Sequence, residues 1–271
     1  ALENKGLVRT LAKPDLIAAE GMFRDQCLGV TYQLNTIRGI LFRCLFALGD
    51  LVELRERVAP VRAQAERQGD RYMILICETA GGALLAAQHD DMPEAERALA
   101  SARERLTEGA AFVPHYWAFS TEALLNLYRG RAAEAHTRMV WLEGALKRSL
   151  LWRVAPSRKL KNAVRGRAAA QLALAGGPDA PRHLRDAERC ARKLTREREA
   201  WGMPAARTIL GLTALARGRP SQAIAALRAA ASGFDGEHMK LYAAATRRLA
   251  GEPLGGTEGD ALVREADAAF A

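Results

Sequence analysis

The sequence predicts an all-α fold, an α-solenoid of tetratricopeptide-like antiparallel helix pairs with a period of about 40 residues. The 271-residue chain is 49% hydrophobic but only 6% aromatic, and its excess of Ala and Leu favours helix over strand. Polar breaks centred on Gly or Asp recur along it at regular intervals. Its longest unbroken apolar run, Tyr72–Cys77, is far shorter than the roughly 20 residues that cross a bilayer.

The polar breaks set the period. They fall near Gly49, Asp90, Gly130, Gly177 and Gly218, at intervals of 41, 40, 47 and 41 residues. Gly, or Asp in its place, can adopt the left-handed conformation that ends a helix. Pro93 and Pro220 follow two of the breaks, where the first turn of a new helix tolerates a missing N–H. Each repeat is therefore expected to contain two helices.

The elements follow in chain order. Residues 1–30 fit no pair and are interpreted as an N-terminal cap or the end of a preceding repeat, with Pro14 opening one short helix. Residues 31–271 are interpreted as a solenoid of about six pairs, with apolar residues at i, i+3 and i+4. The predicted pairs are 33–49 with 51–68, 71–88 with 93–107, 114–129 with 131–148, 157–175 with 180–199, 203–217 with 220–232, and 238–250 with 259–270.

Seven stretches go beyond the generic repeat: Gly29–Ile37, His115–Trp117, Leu127–Gly130, Ser149–Val154, Met239–Arg248, Leu254–Gly259 and Ala266-Asp267. Together they resemble the C-terminal tetratricopeptide-like repeat region of large bacterial serine/threonine kinases. In that family a kinase domain and an AAA- or STAND-type ATPase module precede the repeats. The resemblance implies a regulatory arm of such a kinase-ATPase signalling protein.

No catalytic signature accompanies these stretches. The sequence contains no Walker A loop, no His-Arg-Asp run and no Asp-Phe-Gly, which phosphoryl transfer by a kinase or a P-loop ATPase would need. Its five His and four Cys lack the close spacing of a metal site. We therefore expect this chain to be no enzyme and to bind no metal or cofactor, and its cysteines to be buried thiols of a cytoplasmic protein.

Four residues are candidates for a binding groove. In tetratricopeptide-like solenoids the first helix of each pair lines the concave face, which nominates the polar residues Glu122, Asn126 and Arg129 of the third pair. Glu78 is added because a carboxylate in an apolar stretch beside Gly81-Gly82 is out of place. Core packing between helices is the competing interpretation, and it also explains the glycines and the aromatic cluster Phe112, His115, Tyr116, Trp117 and Phe119.

Positive charge is concentrated in one part of the chain. Residues 144–198 hold fifteen Lys or Arg against four Asp or Glu, a net +11, so they account for the whole +9 of the chain. Arg158, Lys161 and Arg165 share a helical stripe opposite Leu160, Ala163 and Val164, the pattern of a solvated basic face. Their replacement by Glu is then expected to leave the fold intact. Arg167 points towards the apolar sector and should snorkel or meet an acid.

Three roles for the stripe stay open: a solubilising face, docking to an acidic protein surface, or nucleic-acid binding. Docking in cis would use the upstream kinase or ATPase domains, and docking in trans a separate acidic partner. Nucleic acid is the least favoured because only Trp152 interleaves with the cations. A membrane partner is not expected.

The overall interpretation is a non-catalytic protein-interaction or sensor repeat domain. One alternative is a ligand-sensing repeat domain of a STAND-type transcription activator, with a small molecule in the groove. A nucleic-acid-binding solenoid is a further alternative.

Overall fold

Helices follow one another in antiparallel pairs through the computed structural model, which describes residues 9–106, 113–149, 153, 155–196 and 200–270. These residues are 87% helical and contain no strand. Phe112 and Trp152, two residues singled out in the sequence, lie outside the described ranges. The prediction of an all-α helical-repeat solenoid is confirmed.

The helix boundaries agree closely with the predicted pairs. The helices are α1 (Arg9–Gln26), α2 (Thr31–Leu48), α3 (Leu51–Gln68), α4 (Arg71–Ile76), a π-helical segment (Cys77–Ala83), α5 (Leu84–Gln88), α6 (Met92–Glu104), α7 (Val113–Tyr128), α8 (Ala132–Lys147), α9 (Ala155–Leu174), α10 (Ala180–Arg196), α11 (Gly202–Ala216), α12 (Pro220–Gly236), α13 (Lys240–Leu254) and α14 (Gly256–Phe270). The first helices of the pairs begin at residues 31, 71, 113, 155, 202 and 240, so the repeat is close to forty residues.

The breaks in the sequence are the helix ends in the structure. Gly49, Asp90, Gly130, Gly177 and Gly218 have φ of +82°, +58°, +72°, +92° and +68°. This is the left-handed conformation that reverses the chain after a helix. Pro93 and Pro220 lie in the first turns of α6 and α12, where a missing N–H costs nothing.

The N-terminal helix differs from the prediction. Pro14 does not open a short helix, because α1 spans 18 residues and contains Pro14 in its interior. Contacts with the next pair hold it: Glu20 accepts a hydrogen bond from Arg38 of α2 at 3.0 Å, and Lys13 lies 2.7 Å from Asp50. Tertiary contacts therefore outweigh the helix-breaking tendency of the proline.

The predicted helix 71–88 is one rod with a π-helical turn in its middle. In that turn the Thr79 hydroxyl donates to the carbonyls of Leu75 and Ile76, at 2.9 and 3.2 Å. A Cβ on Gly81 would lie 2.3 Å from Cγ1 of Val58, and one on Gly82 would lie 3.0 Å from Cβ of Ala98. The two glycines thus let α3 and α6 approach this rod closely, as core packing requires.

The superhelix turns far enough for its last pair to meet its first. Helix α13 packs against α2, and Leu241 fills the space beside Gly49, 3.1 Å from where a Cβ would lie. Ala47 of α2 belongs to the same buried cluster as Met239 and Ala243. The first helices thereby surround a common centre, to which α12 also contributes Phe234, and the other second helices lie outside them.

We expect Gly251→Ala to destabilise the last pair. A Cβ on Gly251 would lie 2.7 Å from the Gly259 carbonyl oxygen, a backbone atom that cannot rotate away. Overpacking of this kind costs about 1–3 kcal/mol, and urea unfolding measures it. Gly236→Ala is the matched control because nothing lies within 4 Å of its new Cβ. Equal stability of the two variants would contradict the close crossing of α13 and α14.

Candidate functional site

A cavity of about 890 Å³, including the open space at its mouth, lies at the centre of the superhelix. The first helices of all six pairs contribute to its wall: α2, the π-helical rod, α7, α9, α11 and α13. Ligand sites in helical proteins occur preferentially in concave spaces between helices. The central position of this cavity, where six first helices converge, therefore makes it the candidate ligand-binding site.

The wall of this cavity is mainly apolar. Phe46, Leu84, Leu124, Leu160, Phe234 and Leu249 line it from different helices. Two hydroxyls in the wall are satisfied by their own helices: Thr208 donates to the Pro204 carbonyl at 3.0 Å, and Thr246 to that of Tyr242 at 2.7 Å. None of the described lining residues is Asp or Glu.

Two arginines interrupt the apolar wall. The guanidinium of Arg43 lies over the ring of Trp117, 4.7 Å from its centroid. Arg167 of α9 is half-buried and has no hydrogen-bond or ion-pair partner among the described residues. Burial lowers its pKa below the usual range, and the nearby Tyr242 opposes this effect only in part. The cavity thus holds positive charge that the described wall does not balance.

Arg167 lies on the apolar side of α9, as the sequence predicted. Of the two expected outcomes, it meets no acid among the described residues, and it is half-buried at the wall of the cavity. Leu160, Ala163, Val164 and Arg167 share one stripe of α9, and all four face the cavity. The available signal was this arginine at the end of the apolar stripe, but the spacing of one helix does not indicate that a cavity lies beside it.

The structure does not place Glu78 in a groove. Its side chain is 1% exposed and faces the outer helices: Ser101 of α6 donates to it at 2.8 Å, and Arg105 lies 3.3 Å away. Arg62 of α3 is 3.8 Å away. Glu78 is therefore a buried carboxylate that ties three helices together.

The three groove candidates on α7 lie on the right helix but on the wrong face. Glu122 is paired with Arg138 of α8 at 2.8 Å, and Arg129 is paired with Glu96 of α6. Asn126 is half-buried, and its backbone carbonyl accepts the N–H of Arg131 at 2.8 Å. Leu124 is the α7 residue that lines the cavity. Polar residues were nominated from the sequence as the groove contacts, whereas the concave surface is mainly apolar.

The basic stripe is not a solvated face. Lys161 is 0% exposed and lies 3.1 Å from Glu143 of α8. Arg165 donates to Asp186 of α10 at 2.8 Å and also contacts Glu143. Arg158 is half-buried and has interactions of its own. The spacing grouped the cations correctly, but Glu143 of α8 and Asp186 of α10 cover Lys161 and Arg165. Replacing all three cations with Glu would therefore disrupt the fold.

These side chains form a charged cluster, Glu143, Lys161, Arg165 and Asp186, at the meeting of α8, α9 and α10. Burial alone would raise the pKa of Glu143, but Lys161, Lys193 and Arg165 outweigh it and lower the pKa to about 2. Burial also opposes ionisation of Asp186, yet hydrogen bonds from His136 and Arg165 hold its pKa well below the usual range. Both carboxylates are therefore charged at neutral pH.

Histidines and cysteines do not assemble a metal site in the described part of the chain. His136 and His183 lie with ring centroids 5.4 Å apart, but His136 hydrogen-bonds to Asp186 at 2.7 Å within the charged cluster. No group of three potential ligands occurs among the described residues. All four cysteines are free thiols, and Cys44, Cys77 and Cys190 are buried.

Comparisons with protein-family models, curated proteins and solved structures give no match to this chain. The helices that the structure describes include none both long and apolar enough to span a bilayer. The cavity and its chemistry are therefore the features from which a function can be inferred.

Proposed function

We propose that this chain is a non-catalytic sensor domain, whose central cavity binds a small molecule and whose outer surface contacts other parts of a signalling protein. The observation that carries the proposal is the central cavity, to whose wall the first helices of all six pairs contribute. A ligand there would touch α2, α9 and α13 together. Its occupancy would therefore favour the arrangement in which the last pair packs against the first.

The contact between α2 and α13 gives this sensor its two-state element. Residues distant in sequence meet there, and the cavity lies beside the contact, with Ala47 and Met239 belonging to both. A ligand that binds better when the two helices touch shifts the population towards the closed superhelix. The outer surface offered to neighbouring domains would then depend on the ligand.

The protein that this domain serves is proposed from the resemblance. The stretches that carry the resemblance favour the C-terminal arm of a cytoplasmic bacterial serine/threonine kinase-ATPase protein. The partners would then be the upstream domains or an acidic protein. The cavity equally fits a repeat domain of a STAND-type transcription activator. A kinase domain upstream in the reading frame would favour the first, and a DNA-binding domain in the parent protein would favour the second.

Nucleic-acid binding loses its main support. The charge excess of residues 144–198 suggested a phosphate-binding surface, yet Lys161, Arg165, Arg189 and Lys193 all contact Glu143 or Asp186. Lys161 and Arg165 are buried beside these acids and do not face a phosphate backbone, whereas Arg189 and Lys193 stay partly exposed. The basic stripe therefore does not supply the phosphate-binding surface that the sequence suggested.

A neutral fluorescent probe tests the cavity. We expect N-phenyl-1-naphthylamine to bind saturably, one molecule per chain, because the wall is apolar. Ala245 lines the cavity, so Ala245→Phe should fill it and weaken binding about tenfold or more by displacing the probe. Fluorescence titration measures both affinities.

Ala225→Phe provides the matched control, since Ala225 is exposed on the outer helix α12. It adds the same side chain away from the cavity and should bind like the unmodified chain. Two Phe variants that lose affinity equally, or an unmodified chain that binds neither this dye nor an anionic analogue of it saturably, would refute the cavity as a ligand site.

A further inference from the structure

We propose that the central cavity selects an amphipathic anion, a molecule with a single oxyanion head on an apolar body, and that Arg167 pairs with the head. This inference rests on the proposed function and specifies its ligand class. The carboxylate of a medium-chain or aryl-substituted acid is the simplest example.

The wall of the cavity carries positive charge that no described acid balances. Arg43 and Arg167 both line the cavity, and no Asp or Glu does so among the described lining residues. Taking a charged group out of water is unfavourable unless an opposite charge or hydrogen-bond partners replace the water. A bound anion would balance this excess positive charge, whereas a neutral ligand would leave it and a cation would add to it.

Arg167 rather than Arg43 is assigned to the head. Arg43 is already stacked on Trp117, whereas the described residues give Arg167 neither an acidic nor a hydrogen-bonding partner. A guanidinium presents its N–H donors in a planar fork that matches the two oxygens of a carboxylate. Arg167 therefore has both the free donors and the geometry for an oxyanion.

The other residues of the wall determine which kind of ligand body fits beside the charged head. Leu160 and Val164 lie on the same stripe of α9 as Arg167, and Phe46, Phe234 and Leu249 complete an apolar surface from other helices. The hydroxyls of Thr208 and Thr246 donate to backbone carbonyls, and Tyr242 adds one phenol to the wall. A polyhydroxylated or polyphosphorylated ligand would lose more hydrogen bonds to water than it could form with this wall. An apolar body with one charged end fits it.

Two dyes with the same apolar body separate the effects of charge and size. 1-Anilinonaphthalene-8-sulfonate carries one sulfonate, and N-phenyl-1-naphthylamine is its uncharged counterpart. We expect the unmodified chain to bind the sulfonate about tenfold or more tightly than the neutral dye, the order of a charge-assisted hydrogen bond. Decanoate should displace the bound sulfonate at lower concentration than 1-decanol or decylamine.

Three variants assign the preference to Arg167. Arg167→Gln should abolish the preference for the anion while retaining affinity for the neutral dye, and Arg167→Lys should keep part of it. Arg185→Gln is the matched control, because Arg185 is exposed on α10 outside the cavity. Circular dichroism and urea unfolding verify that each variant is folded, which excludes dye binding to a disordered chain.

The outcomes distinguish this inference from the proposed function. Equal affinity for both dyes in the unmodified chain, or an anion preference that survives Arg167→Gln, would refute the role of Arg167 while leaving a cavity that binds apolar molecules. If neither dye binds saturably, both the inference and the proposed function fail. A preference that Arg167→Gln alone removes, with Arg185→Gln unchanged, supports the inference.

Discussion

Replacing Glu143 with Gln should lower the free energy of unfolding by about 3–5 kcal/mol, the usual cost of removing one partner of a buried ion pair. Glu143 is 9% exposed and lies 3.1 Å from Lys161, which is fully buried. It also contacts Arg165 and lies 3.3 Å from Lys147 and 3.5 Å from Lys193. Its loss would leave several cations of α9 and α10 facing one another.

Urea unfolding followed by circular dichroism measures this effect. Glu134→Gln is the matched control on the same helix, because Glu134 is exposed on α8, and exposed substitutions usually change stability by no more than about 0.5 kcal/mol. Combining Glu143→Met with Lys161→Met should recover part of the loss, since an apolar pair can replace a buried ion pair. If Glu143→Gln and Glu134→Gln were equally stable, the cluster would have no structural role.

The repeat was predictable because its signals are local. Gly49, Gly130 and Gly218 end helices through their own left-handed backbone conformation, and Pro220 begins the next helix without needing a neighbour. The start of α1 was not predictable in the same way. Pro14 is a local signal for a helix start, but contacts with α2 and α3 stabilise a longer helix around it.

Whether the basic stripe is exposed or buried depends on the helices packed against α9. The spacing of Lys161 and Arg165 places them on one face of α9, and the structure agrees. Whether that face meets water or acids is decided by Glu143 and Asp186, which lie 18 and 25 positions from Lys161 in the sequence. A single helix carries no information about such partners, so a buried face was interpreted as an exposed one.

The residues that line the cavity could not be predicted from single helices either. The repeat predicts that first helices surround the concave face. Which of their residues line it depends on how far the superhelix turns. The stripe ending in Arg167 was visible in the sequence, whereas the approach of α13 to α2, which closes the wall, was not. Polar residues on α7 were therefore preferred to Leu124, although the wall is apolar.

Acid should destabilise this protein through the same cluster. The pKa of Glu143 is about 2, below its ordinary 4.5, and that of Asp186 is also lowered. A carboxylate with a lowered folded-state pKa stabilises the fold above its unfolded pKa, and that stability disappears as the pH falls through the folded value. For Glu143 the contribution at neutral pH is about 3 kcal/mol, lost progressively below about pH 4.5.

Urea unfolding at pH 7, 5, 4 and 3 tests this dependence. The unmodified chain should lose stability steeply between pH 5 and 3, because Lys161, Lys193 and Arg165 stay charged while Glu143 takes up a proton. Glu143→Gln lacks that titration, so its stability should fall less over the same range and the gap between the two chains should narrow towards pH 3. Glu134→Gln should follow the unmodified chain throughout. Parallel curves for the unmodified chain and Glu143→Gln would show that protonation of Glu143 is not coupled to folding.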